Sequence, residues 1–195
     1  IGGGKIPNRL ERWLAEQGIR AFNTYGMTET CSHVALAPVG TTPQPFTSLG
    51  DISFSLDNRG CLVIHAPHFS QKKIVTNDIV NLLSPTEFFW CGRIDNVINT
   101  GGLKVFPEEI EPIIGEVITN VRFFVTSQPS EKWGEELVLA LEYTTMQDDE
   151  QKTGEIRPDF IEKLRLKLPS HAIPRKYIAV KHFKETTTGK IIREL

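Results

Sequence analysis

Leu10, Trp13 and Leu14 recur at helical spacing in PNRLERWLAEQG, with Pro7 near the start and Gly18 placed to cap the end. This pattern predicts a helix. IRAFN then predicts a short buried strand running into TYGMTETCS, polar and glycine-containing, where a strand-end loop would carry function. From Gly50 to Gly92 the signal changes to short apolar runs broken by turn residues: GDISFSL, the turn DNRG, CLVIHA, KKIVTND and EFFWCG. A small β subdomain is expected there.

After GRIDN the pattern changes again. It predicts strand NVIN, loop TGG, strand LKVF, helix PEEIEPIIGEV, and strands VRFFVTS and ELVLALEY. An acidic loop, MQDDEQKTGE, separates these from helix RPDFIEKLRLKL and strand KYIAV. The alternation predicts an α+β module of about a hundred residues, an ordinary domain size. Pro112 removes a backbone donor inside the first of these helices, so a kink or a tight first turn is expected.

The chain has 195 residues, 39% apolar and 24% charged, enough for one large domain or two small ones with real cores. Twenty-two basic and twenty-four acidic residues leave a net charge of -2, with no polybasic run to neutralise a nucleic acid or an anionic membrane. Neither partner is expected, and no apolar stretch is long enough to cross a bilayer. The start, IGGGKIPNRL, has neither an initiating methionine nor a signal pattern, so the chain is expected to begin mid-protein. Cys31, Cys61 and Cys91 form no CxxC pair and read as reduced, cytoplasmic thiols. His65 and His68 lie around Pro67 with no third ligand nearby in sequence, so no metal cage is assigned to them.

Four stretches could carry chemistry. TTTGK, Thr186 to Lys190, looks like a phosphate loop but lacks the earlier glycine, and Ile191 stands where a Ser or Thr should bind magnesium. A functional Lys190 must therefore be brought to a phosphate held elsewhere. Singly, YGMTET also reads as a turn, VTND as a strand end, GRIDN as a hairpin and TTTGK as a tail.

Order and spacing distinguish the set. YGMTE, TND, GRIDNVINTGGLKVFPEEIE and TTTGK together resemble the adenylate-forming enzymes, which include acyl-CoA synthetases, firefly luciferase and the adenylation domains of peptide synthetases. Within that family, YGMTETCSHVAL and DNVINTGG look like the o-succinylbenzoate–CoA ligases of menaquinone biosynthesis. The resemblance covers nearly the whole chain, as the C-terminal half to two-thirds of such an enzyme. It implies an α/β remnant and small β subdomain of the large domain at residues 1–94, then a small mobile α+β domain at 95–195. The remaining N-terminal part, with the family's phosphate loop and most of its acyl pocket, would precede the chain. These 195 residues alone are thus expected to be inactive as a ligase.

The resemblance also implies roles. Tyr25 would stack on adenine, Asn23 would lie beside its exocyclic amine, and Gly26 would belong to the same nucleotide-binding turn. Thr28 would contact the α-phosphate and Glu29 would hold magnesium. Asp78 would accept from the ribose hydroxyls, Arg93 would donate to the ribose, and Asp95 would be the hinge. Lys190 would enter the site during adenylate formation, and Gly101 and Gly102 would pass the pantetheine arm of coenzyme A. Elementary chemistry agrees: a carboxylate suits paired hydroxyls, and a carboxylate oxygen suits magnesium. A desolvated ammonium favours the charge that builds as a carboxylate attacks phosphorus. For TGG a plain tight turn remains an equal reading, and Lys104 on the next strand could support the second reaction.

Three positions depart from the family pattern: Asn77 replaces a frequent Gly, Asn96 a frequent Asp, and Lys184-Glu185 a Pro-basic pair. The expected substrates are a small carboxylic acid, ATP and coenzyme A, with magnesium, in the cytoplasm. The rivals are a related enzyme for another acid or a carrier-protein thiol, and a non-catalytic binding fragment.

Overall fold

The computed structural model describes residues 1–2, 6, 8–40, 42–118, 121–143, 152–187 and 191–193. The chain divides into two compact units, Ile1–Asp95 and Asn96–Leu195.

The first unit opens with helix α1 (Asn8–Glu16). Gly18 ends it in the left-handed region at φ +65°, where its amide bonds Ala15 and that of Ile19 bonds Leu14. These crossed bonds satisfy carbonyls left over at the helix end and need a residue without a Cβ. Only part of the predicted apolar stripe is covered: Leu14 is buried, whereas Leu10 and Trp13 are 39% and 50% exposed.

Seven strands follow: β1 (Phe22–Gly26), β2 (His33–Pro38), β3 (Phe46–Ser48), β4 (Ser53–Leu56), β5 (Cys61–His65), β6 (Lys73–Ser84) and β7 (Glu87–Arg93). They form one sheet in the order β1-β2-β3-β7-β6-β5-β4, every pair antiparallel. The predicted strand at IRAFN is displaced. Ile19 is exposed and β1 starts at Phe22, so TYG belongs to the strand rather than to a loop. VTND is likewise no strand end, since β6 runs on to Ser84. β2 and β3, which the pattern did not predict, join β1 to the rest.

In a flat sheet β1 and β6, four places apart, would be separated by about 19 Å. Yet the Tyr25 hydroxyl on β1 reaches Asp78 on β6 at 2.5 Å. The sheet is therefore rolled, and its concave side is filled by Phe54, Phe88, Val80, Ile64 and Ile74. Phe46 and Phe88 are directly paired across β3 and β7 and stack at 5.4 Å.

In the second unit β8 (Ile98–Thr100) and β9 (Leu103–Val105) form a hairpin, followed by α2 (Pro107–Ile114). Pro107 occupies the first helical turn, where no donor is lost. Pro112 lies within the helix, which ends two residues later at Ile114. β10 (Arg122–Ser130) and β11 (Gly134–Glu142) make a long hairpin with nine paired positions. β12 (Lys152–Glu155), α3 (Pro158–Arg165) and β13 (Lys176–Val180) complete the unit, β13 lying parallel to β11. KTGE was expected within a loop but pairs with β13 instead.

β11 is buried from Leu137 to Leu141. Leu137, Leu139 and Leu141 face the core with Ile110, Ile114 and Leu164 of the two helices, while Ala140 meets Phe124 and Phe183 on the other side. A strand covered on both faces needs a continuous apolar run, and ELVLALEY supplies it. Both units thus combine strands with few helices, the α+β class expected.

Candidate functional site

The rolled sheet brings four predicted residues together in the first unit. Asp78 is only 8% exposed, and Tyr25 donates its hydroxyl to Asp78 Oδ2 at 2.5 Å. The Tyr25 ring stands edge-on to Phe88 at 5.1 Å and tilted to Phe46 at 5.7 Å, which fixes its direction. Asn23 lies two residues earlier on β1 and so shares the Tyr25 face. Arg93 pairs with Asp78 across β6 and β7, its guanidinium 4.0 Å from Asp78 Oδ1.

Polar residues inside a strand need partners, and Thr76 shows how they are met. Its hydroxyl donates to the Leu62 carbonyl at 2.8 Å and accepts from the Asp78 amide at 3.0 Å. The Asp78 carboxylate is thereby aimed by two strands. β6 and β7 also shift register between Ile79 and Val80, a bulge beside the acid that re-aims neighbouring side chains.

Arg93 also donates to Asp95 at 2.6 Å, and Asp95 accepts from Asn77 at 3.3 Å through each oxygen. Asn77 in turn accepts from Arg59 at 3.1 Å. Arg59 reaches further, to the Thr76 carbonyl at 2.9 Å and Asp57 at 2.8 Å. The hydrogen bond from Arg93 holds the Asp95 carboxyl below its ordinary pKa, against partial burial and with help from Asn77. Sequence reasoning missed Arg59, whose turn, DNRG, gives no sign of a partner eighteen residues away.

Burial, then the Asp78 charge and its hydrogen bond, push the Tyr25 phenol far above its ordinary pKa. An unfolded tyrosine ionises near pH 10, so the stability that this shift contributes is complete below about pH 10 and is lost as pH rises further. Above that point the chain is expected to lose about 1.4 kcal/mol per pH unit more than the Tyr25→Phe variant. Urea denaturation across pH 9 to 11 measures the difference, and identical pH slopes would contradict it.

The loop after β1 presents Thr28 and Glu29, both exposed, on a single 3-10 turn, Thr28–Thr30. Thr30, absent from the predicted site, anchors it. It is 1% exposed and its hydroxyl binds the Met27 amide and carbonyl at 2.9 Å and the Ser32 carbonyl at 2.6 Å. Cys31 follows in the left-handed region at φ +57°, a strained setting for a residue with a side chain. Gly26 is required by close approach: a Cβ there would lie 2.3 Å from the Ser32 carbonyl oxygen. Thr24, Gly26, Met27, Ser32 and His33 line an open groove of about 330 Å³ beside this turn.

Gly101 and Gly102 lie in the second unit, as the two-residue turn of the β8–β9 hairpin. Their φ values of +58° and +80° are those of a type I′ turn, which favours glycine at both places. A Cβ on Gly101 would meet the Trp133 ring at 2.9 Å, whereas one on Gly102 would meet nothing within 4 Å. The Gly101 amide also bonds the Trp133 carbonyl at 2.9 Å. The missing side chain of Gly101 is thus accounted for by the indole, and only Gly102 leaves space unclaimed. Lys104 is exposed on β9. Asp95 is the last residue of the first unit, in the turn Ile94–Asn96. Lys190 and Gly189 lie outside the described residues.

No protein-family model matches the sequence. Over 99% of its length the chain is 26% identical to the 2-succinylbenzoate–CoA ligase of Listeria monocytogenes, and it is 24% identical to that of Enterococcus faecalis. It spans 44% of the length of each of these relatives. The solved structure of o-succinylbenzoate CoA synthetase from Bacillus subtilis with ATP and magnesium ion superposes at a TM-score of 0.77, with 18% identity, covering 98% of this chain and 44% of the other. ATP-bound MatB from Rhodopseudomonas palustris superposes at 0.70, with 20% identity, covering 97% of this chain and 42% of the other.

Fold and sequence both resemble the C-terminal portion of enzymes of the adenylate-forming superfamily. Within it, the curated relatives matched along the whole chain are 2-succinylbenzoate–CoA ligases.

Proposed function

We propose that the chain belongs to an ATP-dependent acid–CoA ligase that adenylates o-succinylbenzoate and passes the acyl group to coenzyme A, in the cytoplasm, as a step of menaquinone biosynthesis. One observation carries the reading: Tyr25, Asp78 and Arg93 converge from β1, β6 and β7 on one place. A nucleoside needs an aromatic surface for its base and an acceptor and a donor for its ribose, and these three supply them. The relatives matched along 99% of the chain, each named 2-succinylbenzoate–CoA ligase, point the same way.

In the first half-reaction a carboxylate oxygen of the acid attacks the α-phosphorus of ATP, the bond to the pyrophosphate oxygen breaks, and pyrophosphate leaves. Asn23 and Tyr25 hold the base, Asp78 accepts from the ribose hydroxyls and Arg93 donates beside them. Gly26 keeps the backbone low where Thr28 meets the α-phosphate. Lys190 brings its ammonium to the charge that accumulates between the two anions. In the second half-reaction the thiolate of coenzyme A attacks the acyl carbonyl and AMP departs. Asp95 is the pivot between the two arrangements, and the turn at Gly101 and Gly102 borders the path of the pantetheine arm.

Magnesium fits the donor set. Glu29 is one exposed carboxylate on a turn, and this metal commonly takes one or two protein carboxylates and fills its remaining positions with phosphate and water. Bound there, it would neutralise the phosphate charge while Glu29 sets its place.

The test is to assay the complete enzyme with o-succinylbenzoate, ATP and coenzyme A, following pyrophosphate and acyl-CoA. Release of both supports the reading. Turnover only with another acid, or only with a pantetheine-bearing carrier protein, would replace the substrate. No pyrophosphate with any acid would leave a binding fragment.

A further inference from the structure

The turn between β4 and β5 carries an arginine to which no step of the proposed reaction gives a part. In this turn, DNRG, Asp57 accepts the amides of Arg59 and Cys61 at 2.8 and 2.9 Å through one oxygen and the Arg59 Nε at 2.8 Å through the other. One carboxylate thus ties the backbone and the side chain of Arg59 to the same turn. The two remaining nitrogens of the guanidinium reach β6, where they donate to the Thr76 carbonyl at 2.9 Å and to Asn77 Oδ1 at 3.1 Å. Three fixed arms give a planar group a direction as well as a place, which one ammonium cannot have.

Arg59 decides how Asn77 is turned. A guanidinium only donates, so the Asn77 amide must give it the oxygen and point its nitrogen the other way, where the Asp95 carboxylate receives it at 3.3 Å through each oxygen. Asp95 also accepts Arg93 Nη2 at 2.6 Å. The side chains of Arg93 and Asp95 are 46% and 51% exposed, so their pair alone would not keep one geometry against water. Asn77 supplies the second hold. The other end of the Arg93 guanidinium, Nη1, stands 4.0 Å from Asp78 Oδ1, while Tyr25 occupies Oδ2. That gap is too long for a direct hydrogen bond and lets one hydroxyl accept from Arg93 and donate to Asp78. Hydrogen bonds therefore run unbroken from Arg59 to Arg93, and every member lies within Ile1–Asp95.

We infer that Arg59 is a positioning residue for ribose recognition: through Asn77 and Asp95 it fixes the direction from which the Arg93 guanidinium meets a ribose hydroxyl at Asp78. This rests on the ribose roles proposed for Asp78 and Arg93. An exposed arginine left to itself samples many rotamers, and holding it costs entropy each time a ligand binds. A site built to hydrogen-bond a hydroxyl rejects a ligand that lacks it only as well as its donor is placed. The relay therefore acts on the sugar rather than on the base.

The experiment compares Arg59→Ala, Arg59→Lys, Asn77→Ala and Arg93→Ala in the complete enzyme. Dissociation constants of ATP, 2′-deoxyATP and 3′-deoxyATP are measured by titration calorimetry in the absence of the acid. Arg59→Ala should weaken ATP by about three- to tenfold and the analogue that lacks the contacted hydroxyl by less than about 1.5-fold, so the preference for ATP shrinks. Arg59→Lys, with one ammonium in place of three arms, should fall in between. Asn77→Ala should reproduce the Arg59→Ala result, and the two together should add little to either alone, since both cut one chain. If Arg59→Ala does not fold, Asn77→Ala carries the same comparison. Equal weakening of all three nucleotides, or none, would overturn the inference, because a merely structural role does not distinguish between sugars. Arg93→Ala separates the two levels: if it leaves the preference for ATP intact, or if the unaltered enzyme has no such preference, the ribose role itself fails. If Arg93→Ala abolishes the preference while the Arg59 and Asn77 variants leave it whole, only the relay fails.

Discussion

Lys190→Ala in the complete enzyme is expected to slow acyl-adenylate formation by about a hundredfold or more, the scale of losing one preorganised electrostatic donor. The acid and the α-phosphate are both anionic, and charge concentrates between them only as the new bond forms. A cation aimed there therefore stabilises the transition state more than the bound reactants, so kcat should fall more than KM rises. The thiol step builds its charge on an acyl carbonyl after pyrophosphate has gone, and it should stay near the wild-type rate when preformed acyl-adenylate is supplied. Single-turnover measurement of each half-reaction decides the matter. Parallel losses would mark the lysine as structural.

Glu111→Ala should be the most destabilising of the changes considered, at about 3 kcal/mol, because it removes one member of the mostly buried Glu111–Arg193 ion pair and leaves the other without its counter-charge. The Val125 amide loses its acceptor in the same stroke. In a unit of about a hundred residues this lowers the thermal midpoint by more than about 10 °C. Glu111→Gln keeps an acceptor for Val125 and should cost about half as much. Urea denaturation gives both values, and a loss under about 1 kcal/mol for the alanine variant would contradict the burial argument.

What could be read from the sequence was local. α1 with its Gly18 cap, the TGG hairpin and the helices that open on Pro107 and Pro158 carry their reasons within a few residues. β6 was cut short because VTND, with polar Thr76, Asn77 and Asp78, was read as a strand end. They stay in the strand because Leu62, Arg59 and Tyr25 satisfy them from elsewhere in the sheet. KTGE was read as the end of an acidic loop, but a Cβ on Gly154 would lie 2.8 Å from the Tyr177 ring, so the glycine is what lets β12 pair beneath that side chain.

The departures from the family pattern show the same limit. Asn77 bridges Arg59 and Asp95, Asn96 bonds Glu108, and Glu185 bonds Arg122. Each residue is explained by a partner far along the chain. The motifs stand out locally in the sequence, while Arg59, Thr30 and Trp133, which bond or pack against them, carry no local signature.

The long β10–β11 hairpin also sets an order of assembly. Its strands are joined by Glu131, Lys132 and Trp133, whereas β13 reaches β11 only after residues 143–175. Closing the longer loop costs about 2 kcal/mol more in chain entropy, so the hairpin zips first and serves as the template on which β13 and α3 condense. Weakening β13 should then leave the refolding rate almost untouched and quicken unfolding, so the lifetime of the native unit is governed by its last strand to dock.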